Sequence, residues 1–517
     1  MSDIEKLQEK YSDLELKNSH LNNKILELEA KNAHYEERLK LLMHQKFVSK
    51  SERVSDSQLS FFDDVLNEVE AFCDTKAKEP ELEEITYKRR KKCNDSVKAD
   101  LPVEETHYTL DESEQICDVC NHELHEIGTS KRDELVIIPA TFKLQRHITH
   151  NYGCKHCETH GTKANIKSAT APTALFKGSM ASESAVSEIM VQKYMNAVPL
   201  YRQEQYFKTL GINLSRQNMS NWLIKSTHYL EIIYKKFHEE LVRQDIIHAD
   251  ETTVQVLKEP NRKHSQKSYM WLYKSNRHEN PIVLYDYQPS RSYNCPKSFL
   301  NGFNGYLQTD GYAAYGKLKN ITQVTCLAHI RRKFDEALTV IPDNEKKKDS
   351  LSYIGFSYCQ KLYNIEKKIV DLSLDERQKK RQAFSVPIFE GFELWLKKQT
   401  SGVLPKSYLG KAINYASNQL PKLKNYLNDP RLEIDNNSAE RSIKPFVVGR
   451  KNWLFSNTPN GAKSSAIIYS IIETAKMNDL KVFDYLCFLL ANLKNTENID
   501  LNTLLPWDED VASKFSK

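Results

Sequence analysis

The stretch that most constrains this chain is residues 246–257, IIHADETTVQVL. Apolar and β-branched residues flank one acidic pair, Asp250-Glu251, a composition that suits a buried central strand. Side chains alternate across a sheet, so the two acids face opposite ways. A carboxylate in such a strand is costly to bury unless something pairs with it. A divalent metal is the obvious partner, and further carboxylates must then come from elsewhere in the chain. Asp310 ends another apolar stretch, GYLQTD, before the turn Gly311-Tyr312, and Glu440 sits in IDNNSAERSIKP on a short predicted helix. The chain is therefore expected to fold so that Asp250, Asp310 and Glu440 meet.

Each acid has a plainer use. Asp250 could pair with a buried Arg or Lys, and Asp310-Gly311 is also ordinary turn chemistry. Asn437-Ser-Ala-Glu440 has capping-box spacing, so Glu440 could reach back to a helix N-terminus, leaving Asp435 or Glu433 as the third ligand. The helix carrying Glu440 is expected to stop near Pro445.

Around these acids the pattern is that of a sheet. Strands are predicted over 246–257, 269–273 and 282–287, with a hairpin-like polar loop over 258–267. A helix over 290–300 then crosses to the strand ending at Asp310, and a strand over 322–327 leads into a helix opened by AHIRRKF. Three antiparallel strands followed by a crossover to parallel ones is the order of a ribonuclease-H-like sheet, in which strands one and four are neighbours. That order sets Asp250 beside Asp310. Residues 335–429 turn to Lys- and Leu-rich helical sequence without acid motifs, read as an all-helical insertion. Arg441, Lys444, Arg450, Lys451 and Lys463 follow the third acid, with Trp453 and Phe455 among them. Basic groups there can hold phosphates that carboxylates alone repel, and an aromatic can stack on an unpaired base. His329, Arg331 and Arg332 are either phosphate contacts or a structural helix start.

The N-terminal half reads as a series of modules, as 517 residues lead one to expect. Apolar residues recur by threes and fours over 1–45, with Asn18 and Asn32 at a positions, which predicts a coiled coil and a homodimer. Residues 46–112 form a polar linker with one short helix and the basic run KRRKK. Cys117, Cys120, Cys154 and Cys157, two CxxC pairs within 113–162, fit one structural Zn(II) ion; four thiolates leave no open position for catalysis. Residues 163–240 hold three predicted helices, over 185–195, 201–210 and 216–225, with a glycine turn before the last, as in a helix-turn-helix. Arg216, Gln217 and Asn218 at its exposed start can reach base edges or phosphates. The catalytic region spans 241–465, and 466–517 is a C-terminal helical segment. The net charge of +5 permits a nucleic-acid partner without arguing for one. The first residues show no signal-peptide core and no apolar run reaches a membrane span, so a soluble cytoplasmic protein is expected.

Several of these segments together resemble one family. HADET, LQTDGYAAY, CLAHIRRKF and DNNSAERSIKPFVVGRKNWLFSNTPNGAKSSA look like the motif series of the DDE transposases of the insertion-sequence-66 family. The zipper, SKSERV, the paired CxxC and VPLYRQEQYF with GINLSRQNMSNW resemble that family in its order. The resemblance implies a multidomain α/β transposase with a ribonuclease-H-like core, acting on insertion-sequence ends and target DNA at the bacterial nucleoid. Accessory proteins from the same element are possible partners. By motif position Asp250, Asp310 and Glu440 are the catalytic acids, and two Mg(II) or Mn(II) ions serve strand cleavage and transfer. Two other readings remain: a ribonuclease-H-like nuclease or resolvase that does not join strands, and a non-catalytic DNA-binding regulator.

Overall fold

The computed structural model describes residues 24, 25, 32, 35, 36, 142–153 and 166–517, apart from 264, 265, 342–346, 401 and 496–498. The heptad seam of 1–45 lies almost wholly outside the described residues, as do the linker 46–112 and Cys117, Cys120, Cys154 and Cys157. The described residues 142–153 and 166–171 belong to a smaller unit distinct from that of Pro172–Lys517. The described part of that smaller unit is an antiparallel ribbon of β1 (Asn151–Gly153) and β2 (Ile166–Ser168), with Tyr152 opposite Lys167.

The larger unit opens with α1 (Glu183–Met190), α2 (Leu200–Thr209) and α3 (Arg216–Leu241). Ser182 and Ser215 cap α1 and α3, each accepting a backbone N–H three residues on. Helix α3 does not stop at Lys225 as expected. Its buried residues Met219, Leu223, Thr227, Leu230, Phe237 and Leu241 continue at helical spacing, and nothing breaks the run before Leu241. These helices share one hydrophobic core with the sheet that follows, a core that runs across residue 240.

That sheet has five strands in the order β5-β4-β3-β6-β7. Strands β3 (Ile246–Gln255), β4 (Lys267–Ser275) and β5 (Val283–Gln288) are antiparallel neighbours. A short helix, α4 (Asn294–Phe299), crosses to β6 (Tyr306–Thr309), which lies parallel to β3 and to β7 (Thr322–Thr325). The expected strands therefore form, each within two residues of its anticipated ends. Strand β3 is the centre of the sheet, and Ile246, Ile247, His248 and Ala249 are all buried, which is why it lacks the polar alternation of a half-exposed strand.

From β7 the chain enters α5 (Leu327–Thr339), then α6 (Leu351–Ile369), α7 (Leu374–Lys380), α8 (Val386–Gln399) and α9 (Tyr408–Leu423). This helical block builds a second core on the parallel edge of the sheet, with Phe389, Phe392 and Leu420 against Ile246, Val324, Ile330 and Phe334. Buried Arg381 ties it together. Its guanidinium grips both carboxylate oxygens of Glu366 at 2.9 and 2.7 Å and donates to the carbonyls of Tyr426, Asp429 and Leu432.

The chain then returns through α10 (Asn437–Trp453), α11 (Pro459–Met477), α12 (Val482–Leu493) and α13 (Glu509–Phe515). The expectation that α10 stops near Pro445 is corrected: it continues through Pro445 to Trp453. Proline removes one backbone hydrogen bond, but Ile443, Phe446 and Val447 on either side are buried and hold the turn in place. Helix α11 covers the exposed edge of the sheet. Ser470 Oγ accepts the N–H of Tyr285, and Thr474 Oγ1 bonds both N–H and carbonyl of Val283, so edge strand β5 presents fewer unpaired groups. Among the described residues no helix is long and apolar enough to cross a membrane.

Gly355 sits where α6 crosses α5, and an added Cβ would meet the ring of Phe334, which is fully buried. Gly355→Ala is expected to destabilise the protein by about 1–3 kcal/mol through overpacking. Gly391→Ala, whose Cβ would make only ordinary contact with Tyr358 at 3.6 Å, is expected to stabilise helix α8 by roughly 0.5–1 kcal/mol. Thermal unfolding of both variants checks the pair; equal melting temperatures would contradict it.

Candidate active site

Asp250 and Asp310 are brought together by strand register. Ile246 pairs with Tyr306 and His248 with Gln308 along the parallel β3–β6 contact, and two further residues along the same register reach Asp250 and Asp310. Both acids are partly buried. Asp250 turns one oxygen back to accept the N–H of Glu251 at 2.8 Å. Asp310 accepts the N–H of Tyr312 at 2.9 Å, and its carbonyl accepts from Tyr415 of α9 at 3.0 Å. Gly311 turns the chain there with φ +93°, a conformation that favours glycine.

Glu440 arrives from about 130 residues later in the chain, after the helical block. The segment that delivers it docks across the strand ends. Gln308 Nε2 donates to the carbonyl of Glu433 at 2.7 Å, and the Leu327 N–H donates to that of Ile434 at 3.1 Å. Asn436, buried, then bonds in three directions. Its Oδ1 accepts from His248 Nδ1 at 3.1 Å, its Nδ2 donates to the Ala249 carbonyl at 2.9 Å, and its backbone N–H meets Cys326 Sγ at 3.2 Å. Asn436 is the N-cap residue of α10, which puts Glu440 in the first turn but beyond capping-box position. Glu440 does not cap: its Oε1 is shielded from water and has no hydrogen-bond partner. Of the two alternative acids, Asp435 has its carboxylate engaged. Asp435 accepts the N–H of Asn437 and the hydroxyl of Tyr363, each at 3.1 Å, and Glu433 lies on the docking segment with Gln308 on both its backbone groups.

The electrostatics record this crowding. Burial raises the Asp250 carboxyl well above the ordinary range, and Glu251, Asp310 and Glu440 push the same way. Burial also raises Glu440, with Asp435 and Asp310 adding to it while Arg332 and Arg441 oppose it. Among the described residues no Lys or Arg bonds directly to any of these three carboxylates. His329 lies 3.8 Å from Glu440, Nδ1 to Oε1, and burial and Arg332 keep its imidazole below its usual pKa.

Sequence reasoning missed what holds the second half of the acid pair. Glu251, on the other side of β3, is almost fully buried and forms a salt bridge with Arg291, and its second oxygen accepts from Tyr315 at 2.6 Å. Arg291 stacks over the ring of Tyr312 at 3.7 Å, and the Tyr312 hydroxyl donates to the Arg291 carbonyl at 2.7 Å. The turn after Asp310 is therefore latched to the strand that carries Asp250. The only sequence signals were the second acid of the HADET motif and the two tyrosines three apart in GYAAY.

The basic residues divide. Arg216, Gln217 and Asn218 are exposed at the start of α3, as are Arg332 and Arg441 near Glu440. Arg331 lies against the ring of Phe356 at 4.5 Å. Arg450 donates to Thr252 Oγ1 and to the Thr253 carbonyl at the far end of β3, and Lys463 pairs with Glu231 of α3 at 3.0 Å. Lys444 and Lys451 lie on α10 with Arg450.

Residues 178–464 match the Transposase IS66 family, residues 114–158 the zinc-finger binding domain of transposase IS66, and residues 470–507 the IS66 C-terminal element. Residues 34–106 match a segment described as Transposase C of IS166 homeodomain. The chain is similar to the uncharacterized proteins y4jD and y4qI of Sinorhizobium fredii. It is 30% identical to the first over 415 residues, covering 77% of this chain and 79% of that protein. It is 28% identical to the second over 499 residues, covering 91% and 88%.

The raised Asp250 carboxyl has a measurable consequence. A group raised in the folded state contributes stability that is present below its unfolded value and lost as pH rises through its folded one. Without added divalent cations, Asp250→Asn is expected to be more stable than wild type at neutral pH, and the gain should shrink as pH falls toward about 4. Thermal melts across that range test this; a gain that does not vary with pH would contradict it.

Proposed function

The chain belongs to the IS66 transposase family, and we propose that it cuts DNA at the ends of its insertion sequence and joins those ends to a target, with Asp250, Asp310 and Glu440 as its catalytic acids. The observation that carries this reading is the convergence of three partly buried carboxylates from β3, from the end of β6 and from α10, with no Lys or Arg bonded to them among the described residues. The sheet order, three antiparallel strands followed by parallel β6 and β7, supports a ribonuclease-H-like core.

The donor set fits divalent cations. Hard carboxylate oxygens suit Mg(II) or Mn(II), and the orphaned Oε1 of Glu440 lacks the positive partner that a buried carboxylate needs. Asp250, Asp310 and Glu440 would hold such ions between them. Such ions, when bound, activate the attacking oxygen and stabilise the leaving one. The chain's own residues do the positioning. The Glu251–Arg291–Tyr315 latch holds the Asp310 turn, Asn436 holds the helix of Glu440, and Arg332 and Arg441 offset phosphate charge beside the acids.

DNA is the proposed partner. Arg216, Gln217 and Asn218 offer an exposed helix start, with Lys444 and Lys451 further candidates. Residues 351–428 carry thirteen Lys and Arg against six Asp and Glu, a surplus greater than the whole chain's +5. This stretch of the helical block is net basic and suits the DNA backbone. One structural zinc on Cys117, Cys120, Cys154 and Cys157, and pairing of two copies through residues 1–45, belong to the same proposal.

On labelled DNA carrying the element's ends, Asp250→Asn, Asp310→Asn and Glu440→Gln are each expected to reduce cleavage by roughly 10³-fold or more, the scale of losing a main electrostatic contributor. End binding by gel mobility should persist. Near-normal cutting by Glu440→Gln would move the third ligand to Asp435 or Glu433. Cutting without joining by wild type would mark a nuclease instead.

A further inference from the structure

Cys326, His329 and Glu440 place one potential metal-ligand atom each within 4.8 Å of one another. Cys326 is the N-cap residue of α5 and His329 follows three residues later, so both side chains lie on the same face of that helix's first turn. Glu440 enters from the first turn of α10. Cys326 Sγ is held by the Asn436 N–H, so the same docking segment that delivers Glu440 also fixes the sulfur.

The imidazole and the carboxylate face each other without a shared hydrogen bond. His329 Nδ1 and Glu440 Oε1 are 3.8 Å apart, beyond hydrogen-bond reach, and both are shielded from water without a partner. Two orphaned polar atoms facing each other at that distance are spaced as two ligands of one cation are. Nitrogen and oxygen ligands of one ion, each about 2.0–2.2 Å from it, stand roughly 3–4 Å apart, and a thiolate at about 2.3 Å stands slightly farther off.

We propose that Cys326, His329 and Glu440 form a mixed sulfur–nitrogen–oxygen pocket at the Glu440 end of the metal centre. This pocket selects a first-row transition dication of the Mn(II)–Co(II)–Zn(II) series over Mg(II) there. Magnesium takes oxygen ligands and keeps its waters, whereas imidazole and thiolate raise affinity along the transition series. The Asp250–Asp310 end, lined by carboxylates, keeps no such preference. The proposal rests on the reading of Glu440 as an active-site acid, and it adds two ligands that the acid triad does not include.

The test uses the full chain with its zinc retained, the zinc content being measured before and after titration with Co(II). Wild type is expected to gain a visible cobalt spectrum together with a near-ultraviolet thiolate-to-cobalt charge-transfer band, without loss of zinc. Cys326→Ser should bind Co(II) without that band. His329→Gln should weaken Co(II) binding, and Mn(II) binding followed by electron paramagnetic resonance, by about tenfold or more, with Mg(II) binding little changed. Thermal melting of each variant shows that it is folded, and the wild-type band stands as evidence even if one variant is not. Absence of the band in wild type, or unchanged Co(II) and Mn(II) affinity in folded Cys326→Ser and His329→Gln, would overturn the pocket. If the band is absent while the acid variants lose cleavage, the pocket alone fails. If Glu440→Gln and Asp250→Asn cut normally, the active-site reading fails whatever the spectrum shows.

Discussion

The three bonds of Asn436 are the constraint on which the site depends. A helical block of some ninety residues separates Asp310 from the segment bearing Glu440, and closing a loop of that size costs entropy that local contacts must offset. Asn436 supplies those contacts in a buried position, to His248 and Ala249 on β3 and to Cys326 after β7. A buried amide bonded at both its oxygen and its nitrogen rigidifies its surroundings, and one left unpaired is costly. The same residue begins α10, so the register of the strand and the direction of the helix are set together. Lys274 of β4 adds a contact to Ser438 in the first turn.

The acids stand on opposite sides of an energetic balance. Asp250 and Glu440 are held at a cost, each raised by burial and by the other acids. Glu251 is as deeply placed but compensated, because Arg291 and Tyr315 satisfy both its oxygens. Adjacent residues on one strand thus differ, one paired with an Arg and one without a fixed counter-charge. Burial without a fixed counter-charge is what a metal-binding carboxylate requires, since a permanent Arg partner would compete with the ion.

Much of this was legible in the sequence because it was local. The five strands follow from β-branched and aromatic runs, and their order placed Asp250 beside Asp310. The cap at Ser215 and the turn at Gly311 follow from single residues. What was not legible depends on distant pairing. Arg291 meets Glu251 from 40 residues away and Asn436 meets His248 from 188; no spacing rule reaches either. Pro445 misled for a related reason. Local preference stops a helix there, but the buried residues around it settle the matter in favour of continuation. Arg450 and Lys463, basic and close in sequence to Glu440, join Thr253 and Glu231 through tertiary contacts that composition does not reveal.

The central claim is that Asp250, Asp310 and Glu440 together hold divalent metal. The most direct measurement is an anomalous difference map from crystals of the full chain soaked in Mn(II). Density is expected between the carboxylates of Asp250 and Asp310, lost in the Asp250→Asn protein, with a second peak at Glu440. Manganese bound elsewhere, with these three side chains free of it in crystals of a protein that cuts DNA, would contradict the account.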